Sequence, residues 1–276
     1  MSPRRKARVL LFKSGSLWPR RVSRVAAFLL FAALAFAAAK GWAQRPDDQP
    51  FFARKNTFSI FGAYSNDSSH ILLGYAENRK LLDFGAGYSR RLFVNQVVNW
   101  QYSGEILPVA LESDPVQISN ETGTYTFTNG MPSETLTGVL EQPTIGPCFP
   151  STTTVIYALP NGTLTEVSVN TCGRRWTIGE AISPVGFQWN FLPRRKLQPF
   201  FTGHGGYMYS TTPIPTENAG SFNFTFDLGA GIELWRSKTR SIRAEYRYHH
   251  ISNHGTAQEN PGIDNGLFQV TYSFGR

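Results

Sequence analysis

The chain has 276 residues, 17% of them charged and 14% aromatic, with 25 glycines; this is too aromatic and too weakly charged for a disordered polymer. Its formal charge of +8 is local, because residues 1–43 carry nine basic side chains and no acidic one, leaving 18 basic and 19 acidic groups in the rest. A nucleic-acid-binding reading therefore loses its electrostatic support.

Residues 1–43 read as a secretory signal peptide. A basic stretch ends at Arg24, an unbroken apolar run of fifteen residues spans 25–39, and Gly41-Trp42-Ala43 offers small residues for cleavage. An uncleaved membrane anchor is the competing reading, and the run is short for it. Export exposes Cys148 and Cys172 to an oxidising compartment, where a disulfide between them is expected. Neither has the His or CxxC context of a reactive thiol, and a two-cysteine metal site lacks further ligands.

Residues 44–276 read as a single all-β domain. Alternation with period two starts at 57–65 and returns at 80–92, 95–107, 179–192, 198–211, 221–236, 239–253 and 264–274. The clearest run places Phe222, Phe224, Phe226, Leu228, Ala230, Ile232 and Leu234 on one face, against Asn223, Thr225, Asp227, Gly229, Gly231 and Glu233 on the other. Such strands exceed the usual five or six residues of a soluble sheet. Eight of them, with apolar faces and an export signal, predict an eight-stranded antiparallel transmembrane β-barrel in a bacterial outer membrane. A barrel of this size has an interior filled by side chains, which argues against a pore. A soluble barrel or sandwich, with its apolar faces turned inward, is the alternative.

Residues 109–178 break the rhythm as a Thr/Ser/Asn/Pro-rich insertion holding both cysteines. They read as an elaborated extracellular loop with small hairpins at 123–130 and 152–162.

The chemistry concentrates near the C-terminus. Ile242, Ala244, Tyr246 and Tyr248 form one apolar face, and His250 and Ser252 continue it. Asp264 shares the parity of Phe268, Val270, Tyr272 and Phe274 on the next strand. Ionisable groups on a lipid-facing wall are costly. A hydroxyl, a base and an orienting carboxylate on one face are the elements of a nucleophilic site. His249 faces the other way and His254 lies beyond the regular strand, so the three histidines do not read as a metal site. His204 falls on a polar, lumen-facing position.

His250-Ile251-Ser252-Asn253, followed by an acidic residue twelve positions after the serine, resembles the signature of the outer-membrane lipid A 3-O-deacylases, the PagL family. The resemblance implies hydrolysis of the ester-linked 3-position acyl chain of lipid A within lipopolysaccharide, without a cofactor or metal. It implies Ser252 as nucleophile, His250 as general base, Asp264 as orienting acid, and Asn253 with Gly255 at the oxyanion hole. The family pattern carries Glu where this chain has Asp264, and Glu259 is the other carboxylate in range. The insertion lies outside the family pattern. A non-enzymatic barrel, structural or adhesive and acting through residues 109–178, is the second function class; a soluble periplasmic lipid-binding barrel is a third.

Overall fold

The computed structural model describes residues 51–276. The signal-peptide reading of 1–43 falls outside the described residues.

The described residues form ten antiparallel strands: β1 (Asn56–Ser65), β2 (Lys80–Val94), β3 (Val98–Phe127), β4 (Glu134–Pro143), β5 (Ser151–Leu159), β6 (Gly162–Phe191), β7 (Leu197–Ser210), β8 (Phe222–Ser237), β9 (Arg240–Ser252) and β10 (Ile263–Gly275). Eight close a ring. The sheet runs β3-β2-β1-β10-β9-β8-β7-β6, and β6 pairs back onto β3. Closure leaves these eight without a free edge.

The alternation is turned outside-in relative to a soluble barrel. Phe58, Phe84, Leu228, Ile232, Tyr246, Phe268 and Val270 are exposed on the outer wall. Asp83, Glu105, His204, Asp227, Glu245 and Arg247 are buried within. Buried charges are costly unless paired, and Arg247 ties most of this set together: its guanidinium donates to both Glu105 oxygens at 2.7 and 2.8 Å and meets Glu245 and Asp227 at 3.0 and 3.5 Å. Arg54 likewise donates to Glu233 at 2.9 Å. Polar inside and apolar outside is the arrangement lipid demands.

Aromatic rings collect on the outer wall near the strand ends. Phe187, Trp189 and Phe201 cluster toward one end, with centroids 4.8 to 6.1 Å apart. Tyr207, Phe222 and Phe224 do so toward the other. Short turns at 95–97, 192–196 and 238–239 mark the first end, and the longer loops 66–79, 211–221 and 253–262 mark the second. In outer-membrane barrels the short turns face the periplasm and the long loops face outward.

The insertion differs from a loop. β3 and β6 are each 30 residues long, and they stay paired from Val98↔Phe191 to Phe127↔Gly162. The barrel wall itself thus continues through residues 109–127 and 162–178. β4 and β5 flank the extension, making a four-stranded sheet β4-β3-β6-β5. The hairpin expected at 152–162 contains the β5–β6 turn at 160–161, and the one expected at 123–130 overlaps the β3–β4 turn at 128–133. The physical reason for the difference is exposure. β4 and β5 are open to solvent on both faces, so nothing imposes an apolar–polar alternation for sequence to display. Pro108 and Pro184 also interrupt the pattern; both fall at register shifts in the β3–β6 ladder, where a residue without an N–H is tolerated. Cys148 and Cys172 form a disulfide that joins the β4–β5 connection to β6.

Candidate active site

β9 and β10 place the site at the outward rim. Their register puts Asp264 directly opposite His250, and the Nδ1···Oδ1 distance is 2.6 Å. The shorter aspartate therefore reaches the imidazole, because cross-strand partners already stand close. Donation of Nδ1–H to the carboxylate leaves Nε2 as the basic nitrogen. Ser252 follows two residues on, on the same face, about 6.5–7 Å from His250 at Cα by strand rise. Its side chain is half-buried, and its hydroxyl makes no hydrogen bond with any described residue. The structure thus joins His250 to Asp264 and, among the described residues, brings the Ser252 hydroxyl into hydrogen-bond contact with neither.

His250 lies on the lipid-facing wall yet is only 7% exposed. The ring of Phe226 packs against it, 5.3 Å between centroids. The 66–79 loop crosses over Asp264 as a strap. Backbone N–H groups of Leu72 and Leu73 donate to Asp264 Oδ2 at 2.7 and 2.9 Å. The Tyr248 hydroxyl donates to Oδ1 at 2.8 Å. The strap is stitched down by Ser69 N–H to Asp264 O, Tyr75 N–H to Pro261 O and Ala76 N–H to Gly262 O. Gly262, at φ +62°, has a backbone that favours glycine and approaches the His250 ring. Sequence reasoning missed the strap and Tyr248. A signal for Tyr248 existed, since it shares the parity of His250; the strap's backbone donors leave no residue-type signature.

The 253–262 loop is tied by Asn253. Its Nδ2 donates to the carbonyls of Ala219 and Glu259, and its Oδ1 accepts from Gly255 N–H at 2.8 Å. Its own N–H donates to Asn260 Oδ1 at 3.1 Å. The two N–H groups expected at an oxyanion hole are thus engaged within the loop. The bond from Asn253 orients the Asn260 amide, whose Nδ2 meets no acceptor among the described residues. Glu259 turns elsewhere, accepting from the Thr216 hydroxyl at 2.7 Å and the Asn218 amide at 3.3 Å, which hold its carboxyl below the usual carboxylate range.

A separate cluster of possible metal ligands, Glu105, His204 and Asp227, lies in the lumen. Arg247 takes both Glu105 oxygens, His204 Nδ1 meets Asp227 at 3.0 Å and Nε2 meets Ser103 at 3.0 Å. Its ligand atoms are already committed to one another. His249 points toward this lumen, away from His250.

Fold and site define the class: an outer-membrane β-barrel with a histidine–carboxylate pair on its lipid-facing wall and a hydroxyl beside it. Residues 150–273 match the family described as lipid A 3-O-deacylase (PagL). The resemblance seen at 250–264 extends over that whole stretch. No curated protein matches the sequence. Similar solved structures include the outer membrane enzyme PagL, at 11% identity, covering 80% of this chain and 99% of that one, with a TM-score of 0.39. Neisserial surface protein A aligns at 10% identity over 80% of this chain and 97% of its own, with a TM-score of 0.37. The outer membrane protein OprG from Pseudomonas aeruginosa aligns at 11% identity over 82% and 100%, with a TM-score of 0.33.

Proposed function

We propose that this barrel is an outer-membrane esterase that removes the ester-linked acyl chain at position 3 of lipid A. The observation that carries the reading is the His250–Asp264 pair beside Ser252 on the lipid-facing wall, inside the stretch that matches the deacylase family. A site on the outer wall suits a substrate that diffuses in the leaflet.

Ser252 Oγ attacks the ester carbonyl carbon while its proton passes to His250 Nε2. Asp264 holds the ring and stabilises the imidazolium that forms. The bond from the carbonyl carbon to the sugar oxygen breaks, and His250 returns the proton to that oxygen. Water then attacks the acyl-serine and gives its proton to His250. The bond to Ser252 breaks, Oγ recovers a proton, and the acyl chain leaves as a carboxylic acid. We assign the oxyanion donor to Asn260 Nδ2, whose amide is tied through Oδ1 to the Asn253 N–H next to Ser252.

The test is a mass spectrum of lipid A from cells making this protein or its Ser252→Ala variant. Loss of one hydroxyacyl chain with the parent alone supports the reading. Unchanged lipid A from both, with the barrel folded in the membrane, refutes it. The second reading, a structural or adhesive barrel, draws on the doubly exposed β4 and β5; removing the extension should abolish that role, whereas Ser252→Ala should leave it intact.

A further inference from the structure

We propose that Arg79 is a positioning residue through which the extracellular extension holds the catalytic acid in place. This inference rests on the esterase reading and assigns the insertion a part in it.

Arg79 ends the strap and has no exposed surface. All its side-chain N–H groups are used. Nε donates to Asp114 Oδ1 on β3 at 3.2 Å. Nη1 donates to Glu77 O and Ile145 O, both at 2.6 Å, and Nη2 donates to Thr144 O and Pro215 O. A single guanidinium thus gathers the strap, the barrel wall, the β4–β5 connection and the 211–221 loop. Lysine cannot copy this planar set of donors.

Each end of the chain of contacts is anchored. On the extension side, Thr144 N–H donates to Pro115 O and Ile145 O accepts from Glu77 N–H. Three residues further on, Cys148 is bonded to Cys172 of β6. On the site side, the Arg79 N–H and the Ala76 carbonyl both bind the Ser68 hydroxyl, closing the strap's base. Between those ends lie Leu72 and Leu73, whose N–H groups hold Asp264 Oδ2. Asp264 in turn holds His250. A short strap rich in exposed apolar residues (Ile71, Leu72, Leu73, Tyr75) has little packing of its own to fix those two N–H groups. Beside the backbone bonds from Ser69, Tyr75 and Ala76, Arg79 supplies a fixed point that ties the strap to the extension.

The experiment uses the full chain refolded in detergent micelles, with Arg79→Met and Arg79→Lys. Three readouts are taken: kcat and KM on lipid A, amide exchange at Leu72 and Leu73, and the downfield proton resonance of the His250–Asp264 bond. In Arg79→Met, kcat falls on the order of 100-fold, as for a catalytic group displaced by about 1 Å, while KM is little changed. The Leu72 and Leu73 amides exchange faster, the β9 and β10 amides stay protected, and the downfield resonance broadens. Arg79→Lys falls between. Wild-type kcat and exchange in a folded Arg79→Met barrel overturn the proposal. Should Arg79→Met fail to fold, the Cys148→Ser/Cys172→Ser pair, which loosens the same connection from its far side, must show the same pattern in weaker form; unchanged kcat and exchange there overturn it equally. If the wild type hydrolyses nothing, the esterase reading fails, and the exchange and resonance arms still decide whether Arg79 governs the His250–Asp264 pair.

Discussion

Gly74 lies so close to Asp264 that a methyl group on its Cα would stand 2.7 Å from the Asp264 backbone nitrogen and 3.0 Å from its carboxylate Oδ1. The contact is with backbone, so the strap must lift to admit a side chain. Gly74→Ala should therefore pull the Leu72 and Leu73 donors away from Asp264. The expected outcome is a folded barrel with kcat reduced on the order of 100-fold, read with lipid A in micelles. Wild-type activity in that variant would show that the strap does not govern the acid.

Tyr248→Phe removes one donor from Asp264 and leaves the two strap amides. A hydrogen bond to a charged group is worth about 1.5–3 kcal/mol, and the partial exposure of Tyr248 places the effect at the low end. We expect roughly a tenfold drop in kcat, equivalent to about 1.4 kcal/mol, with thermal stability close to the parent. Steady-state kinetics beside a melting curve checks both halves.

Asn253 and Asn260 should separate cleanly. Asn253→Ala strands the Ala219 and Glu259 carbonyls and the Gly255 N–H, so it should cost about 1–3 kcal/mol of stability and make the 253–262 loop sensitive to protease. Asn260→Ala gives up little buried structure and removes the proposed oxyanion donor, for a loss of about 10²–10³ in kcat. Equal stability losses in the two variants would place Asn260 in the scaffold instead.

Inside the barrel, Arg247→Met leaves Glu105, Asp227 and Glu245 without their shared cation, and breaking such a buried pair costs about 3–5 kcal/mol. Adding Glu105→Gln should recover part of that loss. Denaturant midpoints for the two single variants and the double variant measure the coupling; strict additivity would contradict the network.

Legibility followed the solvent. Where lipid lies on one side and a polar lumen on the other, as along β8, alternation is complete and the strand is readable residue by residue. Where water lies on both sides, as along β4 and β5, the constraint vanishes, and the extension of β3 and β6 could not be read as strand. The site divided similarly. His250, Ser252 and Asp264 are side chains at fixed spacing, and the structure places the first and third in contact. Two of the donors that hold Asp264 come from the backbone at Leu72 and Leu73, where any residue except proline would serve, so the letters carry almost no trace of them. Asn253 shows the converse, a polar residue whose type was readable and whose hydrogen bonds, turned into its own loop and to Ala219 of the 211–221 loop, were not.

The length of β3 and β6 has a mechanical meaning. At about 3.3 Å per residue, the fourteen residues from 114 to 127 carry the paired strands about 46 Å along their axis past the last shared contact with β2 near the rim. No linker intervenes, so the extension is a mast stepped directly into the hull. A fluorophore or epitope placed at Asn129 or Asn161 would report the tilt of the barrel in its leaflet, because the tip cannot swing without the wall beneath it turning too.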